Sequence, residues 1–531
     1  MDQLGSHSES SLGKNTPWLP VALVVLVVVV LTVCNWRQLD SAAYSSDQIA
    51  IATVLLKYHD PTVFPAEEGL RPVDVYAKTY LGLLDVLVSL TGGTKKALFW
   101  LGTVPLMIFA GGMYVLLFIA TSNGWVAAII TIASLWFRMS FEGQLWQIWD
   151  FSVFLPRTIT LALVPWLLLA CGRWLGRWEL IGIFAALGIT ANYHPFSSLY
   201  LAVIFGLTLL FVRRSFQRHV LVLAVSVVIF SLASAPYFLE VRRAVQVATA
   251  SRVSQGPPPT LEQIEQARQE AEYGIFPPPF RMVCWVGFHL ALPALAGVGG
   301  FLVRRRRLND FDRTLVAFLC AVIVYSVGGA ATEVFLRVVF KVHKSLTFMR
   351  AFHLVYLPLW VFCGWLVEDL WNRQSGRARQ LAVLLCALLL VPASATDSAL
   401  RWIKHRGDIP PRQMPLEHDR DFVAVCQWMR AHTRPADICL VPIGWHLFPL
   451  LSHRSIVAVR KERGFILYEP VKGVETSERL RSVREAYEDP SPDRLREIAK
   501  RYGAQYIVVV DRELADKPIF QSGAYRVYKS P

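Results

Sequence analysis

The side chains able to move a proton or grip an anion stand mostly beside the ends of long apolar runs. Ser45-Ser46-Asp47-Gln48 follows the first run. An aspartate held at a membrane surface and partly desolvated can take a proton from an attacking hydroxyl, which makes Asp47 a candidate general base. The same residues suit the N-cap of a following helix, and the two roles are compatible. Asn192-Tyr193-His194-Pro195 joins two apolar runs with almost no room for a loop. His194 could bind phosphate or relay a proton there, or it could flank a helix that starts at Pro195. Lys341, His343, Lys344 and Arg350 lie on an amphipathic stretch leading into a later run, and Arg157 follows Pro156 at the start of another. Such cations suit a lipid phosphate, which arginine can hold with two hydrogen bonds. The alternative is snorkelling, with apolar stems against the helices and charged heads in water. Glu142 and Asp150 offer a second carboxylate or metal ligands, or are solvated loop acids.

Asp310-Phe311-Asp312 has the Asp-x-Asp spacing that holds a metal on nucleotide-sugars. It lies just after Arg304 to Arg307, which can neutralise it, and so short a pattern recurs by chance. Cysteine and histidine are scattered without zinc-ligand spacing. Six cysteines lie in or beside apolar segments, where Cys behaves as a small hydrophobe. Cys426 and Cys439 could bridge in an oxidising compartment, but read better as two core residues.

The elements that position these residues are hydrophobic spans. The chain is 54% hydrophobic and 18% charged, against roughly 25% charged in soluble domains. Apolar stretches recur at 18–35, 97–119, 125–138, 153–171, 179–192, 195–212, 219–239, 282–303, 314–330, 351–370 and 380–396. This predicts an α-helical polytopic membrane protein with about eleven transmembrane helices, since a helix satisfies its own backbone in hydrocarbon. The stretches 125–138 and 179–192 are short for a crossing and are expected to be tilted, broken or extended. The net charge of +14 sits largely in the short links 172–178, 212–218, 304–313 and 371–380. That is the positive-inside pattern, so it speaks for membrane orientation and against nucleic acid.

This orientation places a polar, disordered tail (1–17) in the cytoplasm and an uncleaved first span after it. The transmembrane domain covers 18–396. Outside lie juxtamembrane helices within 36–96, a Pro-rich loop at 240–281, the segment 331–350, and a soluble domain at 397–531. In that domain helix and strand alternate: a helix at 421–431, strands at 438–442 and 455–459, helices at 476–487 and 491–502, and strands at 505–510 and 525–528. The pattern predicts a small α/β layer, without a glycine-rich phosphate loop.

The layout resembles the GT-C-type glycosyltransferases that use polyprenyl-phosphate sugars. Several phrases are similar to those of uncharacterised bacterial membrane proteins related to them: Ser46-Asp47-Gln48 with Asp60-Pro61-Thr62-Val63-Phe64-Pro65, the His194-Pro195 junction, Arg350 before a span, Trp428 to Pro435, and Tyr502 to Val509. The resemblance implies a bacterial inner-membrane enzyme with an extracytoplasmic C-terminal domain. It implies Asp47 as the acid of the first outer loop, acting as general base. Many such enzymes pair two acids there, whereas Gln48 follows Asp47 here.

The expected function is transfer of a sugar from a polyprenyl-phosphate donor to a glycan, lipid or protein acceptor. His194, Arg157, Lys341, Lys344 and Arg350 would bind the substrate. No cofactor is specified by the residues, and a divalent metal stays an open alternative. Two other readings stand beside it: a carrier or flippase for lipid-linked saccharides, which would need a polar path through the spans, and a non-catalytic envelope assembly protein.

Overall fold

The computed structural model describes residues 18–37, 46–64, 78–136, 156–174, 178–212, 216–251, 259–260, 262–264, 266–267, 279–332, 335, 348–373, 375–390, 419–458, 470–489 and 491–530. The first part is helical: α1 (Trp18–Arg37), α2 (Ser46–His59), α3 (Lys78–Thr91), α4 (Thr94–Thr121), α5 (Gly124–Trp136), α6 (Pro156–Ala162), α7 (Val164–Trp174), α8 (Ile181–Ala191), α9 (Pro195–Phe211), α10 (Phe216–Ser251), α11 (Pro279–Arg304), α12 (Asp310–Ile323), a 3₁₀ turn (Phe348–Val355), α13 (Tyr356–Asn372) and α14 (Gly376–Leu390). Among the described residues, four helical stretches are long and apolar enough to cross a membrane: Thr94–Thr121, Val220–Arg243, Asp310–Thr332 and Ala351–Asn372. Six shorter apolar helices, including Trp18–Cys34 and Pro195–Phe211, accompany them.

The expected span at 153–171 is broken at Leu163 into α6 and α7. Pro165 explains the break, because its ring excludes the carbonyl four residues back and it has no N–H to donate. The expected helix at 219–239 runs on to Ser251 despite Pro236. Asn192 repairs the ladder at that proline. Its Oδ1 accepts from the Tyr237 N–H at 3.1 Å, and its Nδ2 donates to the Ala233 carbonyl at 2.9 Å. Those two backbone groups would bond to each other in an uninterrupted helix. The side chain therefore inserts into α10 and ties it to α8, whose Gly188 and Ile189 carbonyls it also reaches.

A large core joins these helices apart from α2 and α3. It includes Phe109, Phe184, Phe205, Phe318, Trp360 and Trp365, all buried. α11 lies so close to α13 that a Cβ on Gly300 would collide with the Phe362 carbonyl. Small residues permit such approach between membrane helices. Trp365 Nε1 donates to the Ala120 carbonyl at 3.2 Å and pins α13 to α4. Asp312 is buried and engaged: it closes a capping box with Asn309 and lies 3.3 Å from Arg304, which also approaches Glu368 at 3.8 Å. The Asp-x-Asp pattern is thus a helix start with an arginine partner.

The C-terminal part is a three-layer unit. Helices α15 (Arg420–His432), α16 (Leu447–Ser452), α17 (Pro470–Glu488) and α18 (Pro492–Arg501) surround strands β1 (Ile438–Leu440), β2 (Ser455–Ile456), β3 (Tyr506–Val510), β4 (Phe520–Ser522) and β5 (Tyr525–Lys529). The sheet order is β2-β1-β3-β5-β4; β1 pairs in parallel with β2 and β3, while β5 pairs antiparallel with β3 and β4. Alternation along β3 sends Val508 toward α15 and α16, and Ile507 and Val509 toward α17 and α18. Cys426 and Cys439 are both buried in the core of this unit.

Candidate functional site

Asp47 is the second residue of α2; its side chain lies outside the described set. One turn on, α2 buries Ile51, Val54 and Leu55 in an apolar cluster with Phe64, Tyr80, Leu84, Ala97 and Leu98. Ile159, Tyr193 and Tyr237 pack against the same cluster. Arg157 is half-buried on α6, two residues before Ile159. His194 adjoins Tyr193. The elements carrying Asp47, Arg157 and His194 therefore meet around one hub.

α2 is fastened at its far end. His59 Nε2 lies 2.7 Å from Asp85 Oδ1 on α3, and Lys57 Nζ donates to the Phe64 carbonyl at 2.8 Å. Asp60 receives the Thr62 hydroxyl at 2.5 Å and its backbone N–H at 3.0 Å. These bonds hold the Asp60 carboxyl below its usual range, with a smaller contribution from His453.

His194 caps α9: its Nδ1 accepts from the Ser197 N–H at 3.2 Å. A nitrogen that accepts carries no proton, so a neutral ring must hold its proton on Nε2. Polar contacts continue along α9. Thr190 and Ser198 hydroxyls are 2.9 Å apart, and the Tyr200 hydroxyl reaches Ser197 at 3.4 Å. Tyr200 meets the buried ring of His353 edge-on at 6.3 Å. His353 belongs to the 3₁₀ turn that contains Arg350, so that turn is docked on the helix His194 caps. The Arg350 side chain lies outside the described set, as do Lys341, His343, Lys344, Glu142 and Asp150 entirely.

The sequence reading did not find a groove of about 840 Å³ between α9 and α10. Leu199, Val203, Leu207, Val227 and Phe230 are among its apolar walls, and Arg242 stands at one end. Ser231 and Ser234 also line it, but their hydroxyls bond back to Val227 and Phe230 carbonyls, which leaves the wall apolar. Arg242 is exposed and lies about 8 Å along the axis beyond Tyr237, at the 1.5 Å rise of an α-helix. The cationic end of the groove thus lies at the end of α10 that carries Tyr237 into the hub. The clue in sequence was faint: Phe238 and Leu239 close a long apolar run, and Glu240, Arg242 and Arg243 follow it. Among the described residues no three His, Cys, Asp or Glu side chains gather as a metal site.

Comparison with known proteins adds three findings. Residues 420–483 match a family described as a domain of unknown function (DUF6798). No curated protein sequence matches the chain. The fold is similar to that of the archaeal oligosaccharyltransferase AglB from Archaeoglobus fulgidus, in a structure holding an inhibitory peptide and a dolichol-phosphate. The TM-score is 0.52 at 11% identity, over 93% of this chain and 69% of that one. A second Archaeoglobus fulgidus oligosaccharyltransferase structure, a complex with Zn and sulfate, matches with a TM-score of 0.46 at 12% identity over 92% and 68% of the chains. The first likeness gives this chain an AglB-like fold: a helical part with apolar helices followed by a small C-terminal sheet.

Proposed function

We propose that the chain is a GT-C-type membrane glycosyltransferase that moves a sugar from a polyprenyl-phosphate donor to an extracytoplasmic acceptor. The observation that carries this reading is the convergence of α2, α6 and the Asn192–Pro195 junction on one hub, beside an apolar groove with a cationic end. A polyprenyl chain has the chemistry of the groove wall, and its phosphate has the charge Arg242 would attract. Arg157, Lys341, Lys344 and Arg350 complete the proposed phosphate site, with His194 at its edge. Dolichol-phosphate and a peptide are bound by the similar archaeal enzyme, which fits a lipid-linked donor and makes a protein acceptor the first to try.

In the proposed reaction Asp47 takes the proton of the acceptor nucleophile. The new bond forms at the anomeric carbon as its bond to the phosphate oxygen breaks, and the cations stabilise the departing lipid phosphate. Direct displacement inverts the anomeric configuration. A divalent ion stays an open alternative, with Asp47, Glu142 and Asp150 as the acids to test. The same reading keeps about eleven crossings, a cytoplasmic N-terminus and an extracytoplasmic tail in a bacterial inner membrane.

The test is transfer by the purified chain in lipid, supplied with a polyprenyl-phosphate sugar. Asp47→Asn should insert and fold normally yet lose transfer; full activity in that variant removes Asp47 as base. Arg350→Ala should weaken donor binding, and unchanged donor affinity rejects its phosphate role. Saccharide movement across liposomes without transfer would favour the carrier reading instead.

A further inference from the structure

The unit of unknown function touches the membrane part at places that bear on the proposed centre. Ile49, two residues after Asp47, is buried in the C-terminal unit's own core with Phe422, Val425, Met429 and Phe448. α2 packs on α16. At successive turns of about 100° per residue, Ile49 and Ile51 point to opposite sides of α2. One side enters the C-terminal unit and the other enters the hub. A 14-residue helix is marginal on its own, so this double burial is what holds it.

Two further contacts come from the same unit. His453, in a left-handed conformation (φ 55°) just after α16, lies close enough to Asp60 for their charges to interact. On α17, Val474 packs with Ala267 and Ile264, and the Ser477 hydroxyl reaches the Ala267 carbonyl at 3.5 Å. Those two residues belong to the Pro-rich segment 240–281. Phe422, Phe448, His453, Val474 and Ser477 all lie within the matched stretch 420–483.

We infer that α15, α16 and α17 form an intramolecular clamp that grips α2 together with Ile264 and Ala267, with Ile49 as the positioning residue that sets the start of α2. The catalytic half of this inference rests on the proposed role of Asp47; the mechanical half does not. Fixing Ile49 fixes the backbone of Asp47, which lies about 3 Å away along the helix axis. A base that must meet a hydroxyl within hydrogen-bond reach loses rate when its helix rocks.

The experiment uses the full chain in lipid nanodiscs. Hydrogen exchange is followed in α2 and in β3, and transfer is measured with a polyprenyl-phosphate sugar. In Ile49→Lys, exchange across α2 should rise at least about tenfold while β3 stays protected. Transfer should show a fall in kcat of similar size at unchanged donor KM, because the donor's contacts are elsewhere. Ile49→Val should restore slow exchange. Unchanged exchange in α2 overturns the clamp, and faster exchange with an unchanged kcat overturns positioning. Should β3 also lose protection in Ile49→Lys, the milder Ile49→Ala decides between the same outcomes. A wild-type chain without any transfer refutes the glycosyltransferase reading alone, and exchange then decides the clamp.

Discussion

Asn192 offers the most direct check on how the hub is built. It is buried and makes two cross-helix bonds to α10, to the Ala233 carbonyl and from the Tyr237 N–H. Truncation in Asn192→Ala strips both. Pro236 lies between the two backbone groups and favours the kink, so they cannot re-pair without straightening the helix. Cross-helix bonds in membrane proteins average about 0.6 kcal/mol and reach about 1.7, so two of them give about 1–3 kcal/mol. Asn192→Asp separates this account from simple loss of volume. The aspartate keeps an acceptor for Tyr237 but aims oxygen at carbonyls that now receive N–H at 2.9, 3.1 and 3.2 Å. It should therefore be worse than alanine, although it is nearly isosteric with asparagine. Thermal unfolding in detergent, read from tryptophan fluorescence, should rank wild type above Ala above Asp. An Asp variant as stable as wild type, or more stable than Ala, would refute the ladder repair.

Other predictions concern the glycines, the buried arginine and pH. Gly300→Ala should push α11 from α13 and cost about 1–3 kcal/mol or more, whereas Gly182→Ala, with open space around its Cβ, should be neutral or gain up to about 1 kcal/mol; folded yield and melting compare them. Arg454 is buried and donates to Thr433 Oγ1 at 2.7 Å, to carbonyls of Arg430 and Thr433 at the C-terminal end of α15, and to carbonyls of Ser452 and His453 at the end of α16. Arg454→Ala should cost about 2–4 kcal/mol through the stranded acceptors, seen as accelerated exchange in α15. His453 is pushed below the ordinary imidazole value by burial, then by Arg430 and Arg454, against the pull of Asp60. Its lowered value means stability is full above pH 6.5 and is lost as pH falls through the folded-state value. Asp60, lowered from 3.8, adds the same sign in stronger acid. Exchange in α2 should quicken between pH 7.5 and 5.5 after correction for intrinsic rates, and His453→Gln should flatten that change; identical corrected rates in the native chain would contradict it.

The sequence conveyed the elements well wherever one period dominated. α2 was legible from Ser46-Asp47 before an apolar helical spacing, and α9 from Pro195 at its first turn. The tail's alternation of helix and strand became a sheet with the expected β3 and β5, because β-branched runs bounded by turns have few other folds. What was hidden depended on pairs far apart in the chain. Nothing in Pro236 announces that Asn192 completes its ladder, 41 and 45 residues away from the atoms it bonds. The break at Leu163 was readable from Pro165, but apolar composition over 153–171 concealed it.

The candidate residues show the same division between chemistry and geometry. In sequence His194 suits a phosphate ligand, a proton relay or the flank of a helix, and in the structure its Nδ1 is committed to the cap. The cap constrains the chemistry without cancelling it, since a ring fixed through one nitrogen presents the other in one direction only. The groove was invisible because its lining, Leu199, Val203 and Leu207 on one helix and Val227 and Phe230 on the next, reads in sequence as ordinary span. A depression between two helices is a property of their separation, and separation is set by small residues and kinks, not by hydropathy. Arg242 acquires meaning from that depression: the same arginine at the end of a filled interface would be one more snorkelling cation. The C-terminal unit follows the same logic. Its sequence pattern specifies an α/β layer, yet Ile49 completes that layer's core from the other end of the chain. A domain whose core borrows a residue beside the proposed base is tied to the chemistry by packing alone, and no local motif could have recorded the tie.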